Sequence, residues 1–206
     1  MLRRENAMVL LVPALCAFAP RAGAGQLAVE ISAGVRSSTA LVRDSIVTPF
    51  DVRPALAPAL AVTLAMPLER GWAAHVTVDL STSELQRHDA DGSSVALGRV
   101  STASFTVGLG HPLPAGFSAR IGVGGLKYFA AEEAGIFRLG SGAIAGIGTL
   151  ALSHTLAVGK RLGSSVEALY DIHGFTTPAL QDEGFGSART VHRVALTIRV
   201  HGRRTR

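Results

Sequence analysis

Residues 72–81 read Trp-Ala-Ala-His-Val-Thr-Val-Asp-Leu-Ser, with Trp72, Ala74, Val76, Val78 and Leu80 alternating against Ala73, His75, Thr77, Asp79 and Ser81. Period two is the signature of a β-strand with two unlike faces, because successive side chains leave a strand on opposite sides. The same rhythm recurs on both sides of this segment. Leu27, Val29, Ile31, Ala33 and Val35 interleave with Ala28, Glu30, Ser32, Gly34 and Arg36, and Leu60, Val62, Leu64 and Met66 with Ala59, Ala61, Thr63 and Ala65. Ala103 to Leu109 alternate with Ser104 to Gly110, and Phe117, Ala119, Ile121 and Val123 with Ser118, Arg120, Gly122 and Gly124. Val166, Ala168, Tyr170 and Ile172 oppose Glu167, Leu169, Asp171 and His173, and Val194, Leu196, Ile198 and Val200 oppose Arg193, Ala195, Thr197 and Arg199. The Gly-rich segment 143–156 is read as a further strand of unassigned phase, which brings the expected number to eight. Gly124-Gly125 is read as a bulge that shifts the phase.

The connections alternate in length. Short ones at 67–71, 111–116 and 157–162 carry the Pro and Gly of tight turns, and long ones run over 37–54, 83–98, 129–142 and 176–188. The long loops hold Arg87, His88, Asp89, Asp91, Glu132, Glu133, Asp182 and Glu183 and are expected to be polar and mobile. Sequential hairpins with short turns at one end and long loops at the other describe an antiparallel up-and-down meander.

Residues 1–24 carry Arg3 and Arg4, the apolar run Ala7 to Ala19 and then Ala22-Gly23-Ala24, the order of parts in a secretory signal. That run falls short of the roughly 20 residues of a membrane-spanning helix, and Pro13 and Pro20 argue against a core helix. Cleavage is expected after Ala24, leaving 25–206 as one domain. Cys16 is the only cysteine and leaves with the leader, so no disulfide framework applies; Leu15 before it argues against lipidation. Losing Arg3, Arg4, Arg21 and Glu5 reduces the net charge from +5 by two, and the remaining basic residues are scattered, which argues against nucleic acid.

Charged residues make up 17% of the chain, below the roughly 25% of soluble domains, while the mean hydropathy is +0.33. The oily faces then need a partner. A soluble barrel turns them inward; a barrel in lipid turns them outward and lines its interior with polar groups. The opposite face carries Glu30, Arg36, His75, Asp79, Arg120, Glu167, Asp171, His173, Arg193 and Arg199, in which four acids match four arginines. A mixed-charge face suits a paired-charge lumen or a solvated exterior. Export, an even strand number and the loop asymmetry select the lumen, with Trp72 and Phe117, each just after a short turn, at the inner lipid boundary.

On this pattern the chain resembles the small eight-stranded outer-membrane barrels of Gram-negative bacteria, the OmpA/OmpX-like and opacity-protein group. The resemblance implies an all-β, eight-stranded transmembrane barrel in the outer membrane, non-enzymatic, acting in envelope integrity or through its outer loops. It implies outer-membrane lipids, lipopolysaccharide and the barrel-insertion machinery as partners, and no cofactor. The chain departs from that group in its tail, His201-Gly202-Arg203-Arg204-Thr205-Arg206, where an aromatic residue is usual, and in its aromatic content of 5%. No peptidoglycan-binding domain is expected after the eighth strand.

Other readings stay open as alternatives: a narrow ion-conducting barrel, an enzyme modifying lipid A, and a soluble periplasmic lipocalin-like binding barrel. Glu167, Asp171 and His173 share a face and could in principle supply acid/base groups. Ser153-His154 offers the side chains of a lipid A deacylase without the ordered His-x-Ser arrangement. No metal-ligand spacing is present, and Gly124-Gly125 lacks the Lys-Ser/Thr of a phosphate loop.

Overall fold

The computed structural model describes residues 27–44, 49–142, 144–158, 162–184 and 188–202. The leader with Cys16 and its cleavage point lies outside the described residues, as does the tail after Gly202. The described chain is almost entirely strand: β1 (Ala28–Ser38), β2 (Val42–Asp44), β3 (Phe50–Pro54), β4 (Ala57–Pro67), β5 (Ala73–Asp89), β6 (Ser94–Pro112), β7 (Phe117–Ala130), β8 (Ala145–Val158), β9 (Leu162–Phe175) and β10 (Arg189–Gly202). Eight of these close on themselves in the order β1-β4-β5-β6-β7-β8-β9-β10 and back to β1, every pair antiparallel. Closure leaves no edge along the barrel wall, which is what a sheet in hydrocarbon requires.

The period-two faces point as the outward-apolar reading demands. Ile121, Val123, Leu196 and Ile198 are 57–65% exposed, whereas Asp171, Arg193 and Arg199 are at most 5% exposed. Val76 and Thr77 sit opposite Val107 and Thr106, so like faces meet across the ladder. In β8, Ile147, Ala151 and Ser153 are buried and Leu150 and Leu152 exposed, which gives that strand the phase its glycines conceal.

Several expectations are corrected. The pairing runs unbroken through Gly124-Gly125, and Leu126 and Tyr128 stay on the inner face, so no bulge lies there. The register shifts lie instead between Glu84 and Gln86 and between Thr155 and Ala157. The segment 83–98 is mostly strand: β5 and β6 continue as a ladder that pairs His88 with Ser94. A tight turn closes it, with the Gly92 amide bonded to the Asp89 carbonyl (3.1 Å) and Gly92 at φ +85°. Hydrogen bonds from the Ser93 hydroxyl and then its backbone N–H hold the Asp91 carboxyl below its ordinary range. The segment 37–54 contributes β2 and β3, which add to the upper part of β5. Short helical turns, Gly135–Phe137 and Pro178–Asp182, organise the other two outer connections. Apolar anchors on three of these segments, Leu41, Val52, Leu85 and Phe137, join Val100, Leu126, Tyr128, Ile147, Phe175 and Val191 of the barrel strands in one buried cluster at the outer end.

One glycine shows how tightly the wall is drawn. A Cβ at Gly34 would fall inside van der Waals contact of the Leu196 carbonyl oxygen and 2.6 Å from the Thr197 Cα, both backbone atoms of the neighbouring strand. Gly34→Ala is therefore expected to destabilise the barrel by about 1–3 kcal/mol through overpacking. Gly146→Ala, where no atom lies within 4 Å, should change little. Urea unfolding midpoints in lipid vesicles compare the two, and equal midpoints would contradict the packing described.

Candidate functional site: a charge-filled lumen

Spacing along each strand decides which charges share a face. Glu30 and Arg36 on β1, Glu167 and Asp171 on β9, and Arg193 and Arg199 on β10 are separated by even numbers of residues, so each pair projects from one face at two heights. Arg120 on β7 and Asp79 on β5 reach across from the opposite wall. The result is two stacked quartets, each of two arginines and two carboxylates. The inner one joins Arg120 and Arg199 to Glu30 and Glu167: Arg199 Nη1 lies 3.3 Å and Arg120 Nη1 3.7 Å from Glu30 Oε2, and both guanidiniums bond Glu167. The outer one joins Arg36 and Arg193 to Asp79 and Asp171. Arg36 grips Asp79 with both terminal nitrogens, the second at 2.9 Å. Arg193 Nη2 sits 3.4 Å from both Asp79 Oδ1 and Asp171 Oδ2, and Arg36 3.7 Å from Asp171.

Each quartet is neutral by formal count, and this matters because an unpaired charge in a water-poor interior costs several kcal/mol. Bidentate geometry suits arginine, whose planar fork matches a carboxylate. Hydroxyl pairs line the rest of the inner face: Thr63 with Thr77 at 2.9 Å and Ser118 with Ser153 at 2.6 Å. A residual cavity of about 50 Å³ runs beside the quartets. Arg36 Nε, Arg120 Nη1, His75 Nδ1, Asp171 Oδ1 and Thr197 Oγ1 border it without a protein hydrogen-bond partner, so the space is polar and roomy enough for a few bridging waters.

The ten residues singled out from the sequence all line the interior, but two stand outside the ion pairing. His173 accepts or donates one hydrogen bond with the Tyr128 hydroxyl at 2.9 Å, at the boundary with the outer apolar cluster. His75 lies at the inner mouth, its ring over Gly110. The residues that sequence reasoning missed are those of the outer apolar cluster, whose inward Leu126, Tyr128 and Phe175 break the polar-inside rule.

The side chains of both acid/base arrangements have other neighbours in the fold. Glu167 and Asp171 are held by arginines. Ser153 faces the lumen and bonds Ser118, while His154 leaves the strand on the other side and packs at a tilt of 41° against Phe117, with ring centroids 4.5 Å apart. Adjacent strand residues point oppositely, so this Ser-His pair forms no dyad.

Exposed Leu, Ile and Val encircle the closed cylinder, far beyond the few hundred Å² of contiguous apolar surface that a protein in water tolerates. Apolar outside and ion-paired inside, a closed eight-stranded barrel of this kind is an integral outer-membrane barrel. Its backbone is similar to the crystal structure of Neisserial surface protein A (NspA), with a TM-score of 0.54 and 9% identity over 85% of this chain and 96% of that one. It is also similar to the solid-state NMR structure of outer membrane protein AlkL in DMPC lipid bilayers, with a TM-score of 0.50 and 12% identity over 90% and 95% of the two chains. At such identities the likeness is one of fold. No protein-family model matches the sequence, and no curated protein matches it.

Proposed function

We propose that this barrel is non-catalytic and non-conducting, contributing to the integrity of the outer membrane and to contacts at its outer rim. The observation that supports this reading is the stacking of two neutral ion-pair quartets beneath a buried apolar cluster, with Leu126, Val100 and Val191 each no more than 2% exposed. An ion entering the lumen would have to compete with arginine–carboxylate pairs and then shed its water among hydrocarbon side chains. Eight strands in any case leave an interior that side chains just fill. Planar-bilayer recording of the refolded protein is expected to give no discrete conductance steps, and reproducible steps would overturn the proposal.

The partners on this reading are outer-membrane lipids, lipopolysaccharide at the outer rim, and the insertion machinery during assembly. Contact with lipopolysaccharide is supported by a recess of about 280 Å³ at the outer end, where Arg43 and Arg189 stand beside Leu41 and Leu180. Two cations next to apolar side chains match a phosphorylated amphiphile. For the absence of catalysis, mass spectra of lipid A from cells with and without the protein are expected to coincide, and the loss of an acyl chain would speak for an enzyme.

A further inference from the structure

Two inner turns repeat a pattern. Pro67-Leu68-Glu69-Arg70-Gly71-Trp72 and Pro112-Leu113-Pro114-Ala115-Gly116-Phe117 share Pro-Leu-x-x-Gly-aromatic, and they fold alike. Arg70 and Ala115 both take φ near +58° (57° and 58°), and the following glycines take +82° and +77°. In each, the leucine amide bonds the carbonyl of the aromatic residue, at 2.7 Å from Leu68 to Trp72 and 2.8 Å from Leu113 to Phe117. Both leucines and both aromatic rings are exposed, between 36% and 44%. A histidine from the neighbouring strand completes each unit. His111 meets the Trp72 ring at 4.8 Å between centroids, and His154 meets Phe117 at 4.5 Å.

We propose that these two turn–histidine units are the protein's binding surface for phospholipid headgroups of the periplasmic leaflet, the imidazoles donating to the lipid phosphodiester while Leu68, Leu113, Trp72 and Phe117 enter the acyl boundary. This rests on the membrane-spanning reading. Three features of the structure support it. The units lie at the short-turn end, which faces the periplasm in barrels of this kind, and they continue the apolar belt of Leu109 and Ile121 directly. His111 and His154 stand on the outward face in line with the exposed Leu109 and Leu152, where a ring nitrogen can reach a lipid headgroup or water. His154 Nδ1 is enclosed without a protein hydrogen-bond partner, which leaves the other ring nitrogen for a headgroup. Aromatic rings favour this depth because one edge is apolar and the other polar. The pairing with histidine adds polar-edged rings to an inner rim in a chain whose aromatic content is 5%.

Trp72 is the chain's single tryptophan, so its fluorescence reports one unit alone. The refolded protein is placed in vesicles of phosphatidylethanolamine and phosphatidylglycerol. A nitroxide on the lipid headgroup is expected to quench Trp72 about twofold more than one near the chain end, as for an interfacial indole. ³¹P–¹⁵N recoupling by solid-state NMR should detect phosphorus beside the His111 and His154 rings. His111→Ala should shift Trp72 emission, while His154→Ala, in the other unit, should not. Chain-end quenching that matches or exceeds headgroup quenching, or histidines with no phosphorus contact in an inserted barrel, would overturn the proposal while leaving the membrane assignment intact. A Trp72 open to aqueous iodide until purified insertion machinery is added would replace lipid with a protein partner. A chain that fails to float with vesicles would remove both readings at once.

Discussion

Arg193→Leu is expected to lower the stability of the folded barrel by about 3–5 kcal/mol, the cost of breaking a buried ion pair from one side. Arg193 is 1% exposed and lies 3.4 Å from both Asp79 and Asp171. Without it, Arg36 alone faces two carboxylates, and the outer quartet carries an uncompensated negative charge where little water can screen it. The double variant Arg193→Leu/Asp171→Leu leaves the two-pronged Arg36–Asp79 pair intact and restores neutrality. It should recover at least about 1 kcal/mol of the loss, the size of coupling typical of residues in one network. Urea titration of the vesicle-inserted protein, followed by the heat-modifiable band on gels, measures all three. Arg53→Leu is the control, because that side chain is about half exposed and only loosely opposed by Asp51 at 3.7 Å; exposed pairs of this kind contribute between zero and about 1 kcal/mol. If Arg193→Leu costs no more than Arg53→Leu, water reaches the quartet freely, and the sealed-lumen reading of function falls with it.

The quartets were legible because β geometry is simple. Even spacings between Glu30 and Arg36, or Arg193 and Arg199, put each pair on one face, and once the apolar face turns outward the charges have nowhere to go but inside. Which acid meets which arginine was not legible. That depends on strand order and on the stagger of the ladder, which places Asp79 of β5 within reach of Arg36 on β1 and of Arg193 on β10, residues 43 and 114 positions away. The outer end misled for a different reason. Polar residues such as Arg87, Asp89 and Asp91 marked 83–98 as a loop, although Asp91-Gly92 is a strong hairpin signal and Leu85 and Val100 are anchors of the apolar cluster. Gly124-Gly125 invited a bulge, yet glycine there serves close approach: a Cβ at Gly124 would collide with the Phe105 carbonyl. The repeated inner turns were in plain view as sequence, but only the structure reveals that His111 and His154, one strand away, complete them.

Leu196→Arg is expected to cost about 2–4 kcal/mol, the depth-dependent cost of arginine facing lipid near the middle of a barrel wall. Leu196 lies halfway along β10, paired with Val35 on one side and Ala168 on the other, and is 57% exposed on the apolar belt. Val200→Arg makes the same chemical change on the same face four residues nearer the inner rim. It should cost only about 0–1 kcal/mol, because the long side chain can extend to the headgroups. The gradient between these two positions is the informative quantity. The same barrel standing in water would show no such dependence, and its wet exterior would accept arginine at both sites within about 0.5 kcal/mol. Yield of heat-modifiable folded protein in vesicles, with unfolding midpoints for the two variants, reads the gradient directly. Equal and small costs would place the apolar belt in water and undo the outer-membrane assignment, whereas a steep loss at Leu196 alone fixes the bilayer midplane at the height of Leu196, between the two quartets. That height also accounts for the composition of the lumen, since the charges stacked there are the ones farthest from bulk water on either side and therefore the ones that must be paired.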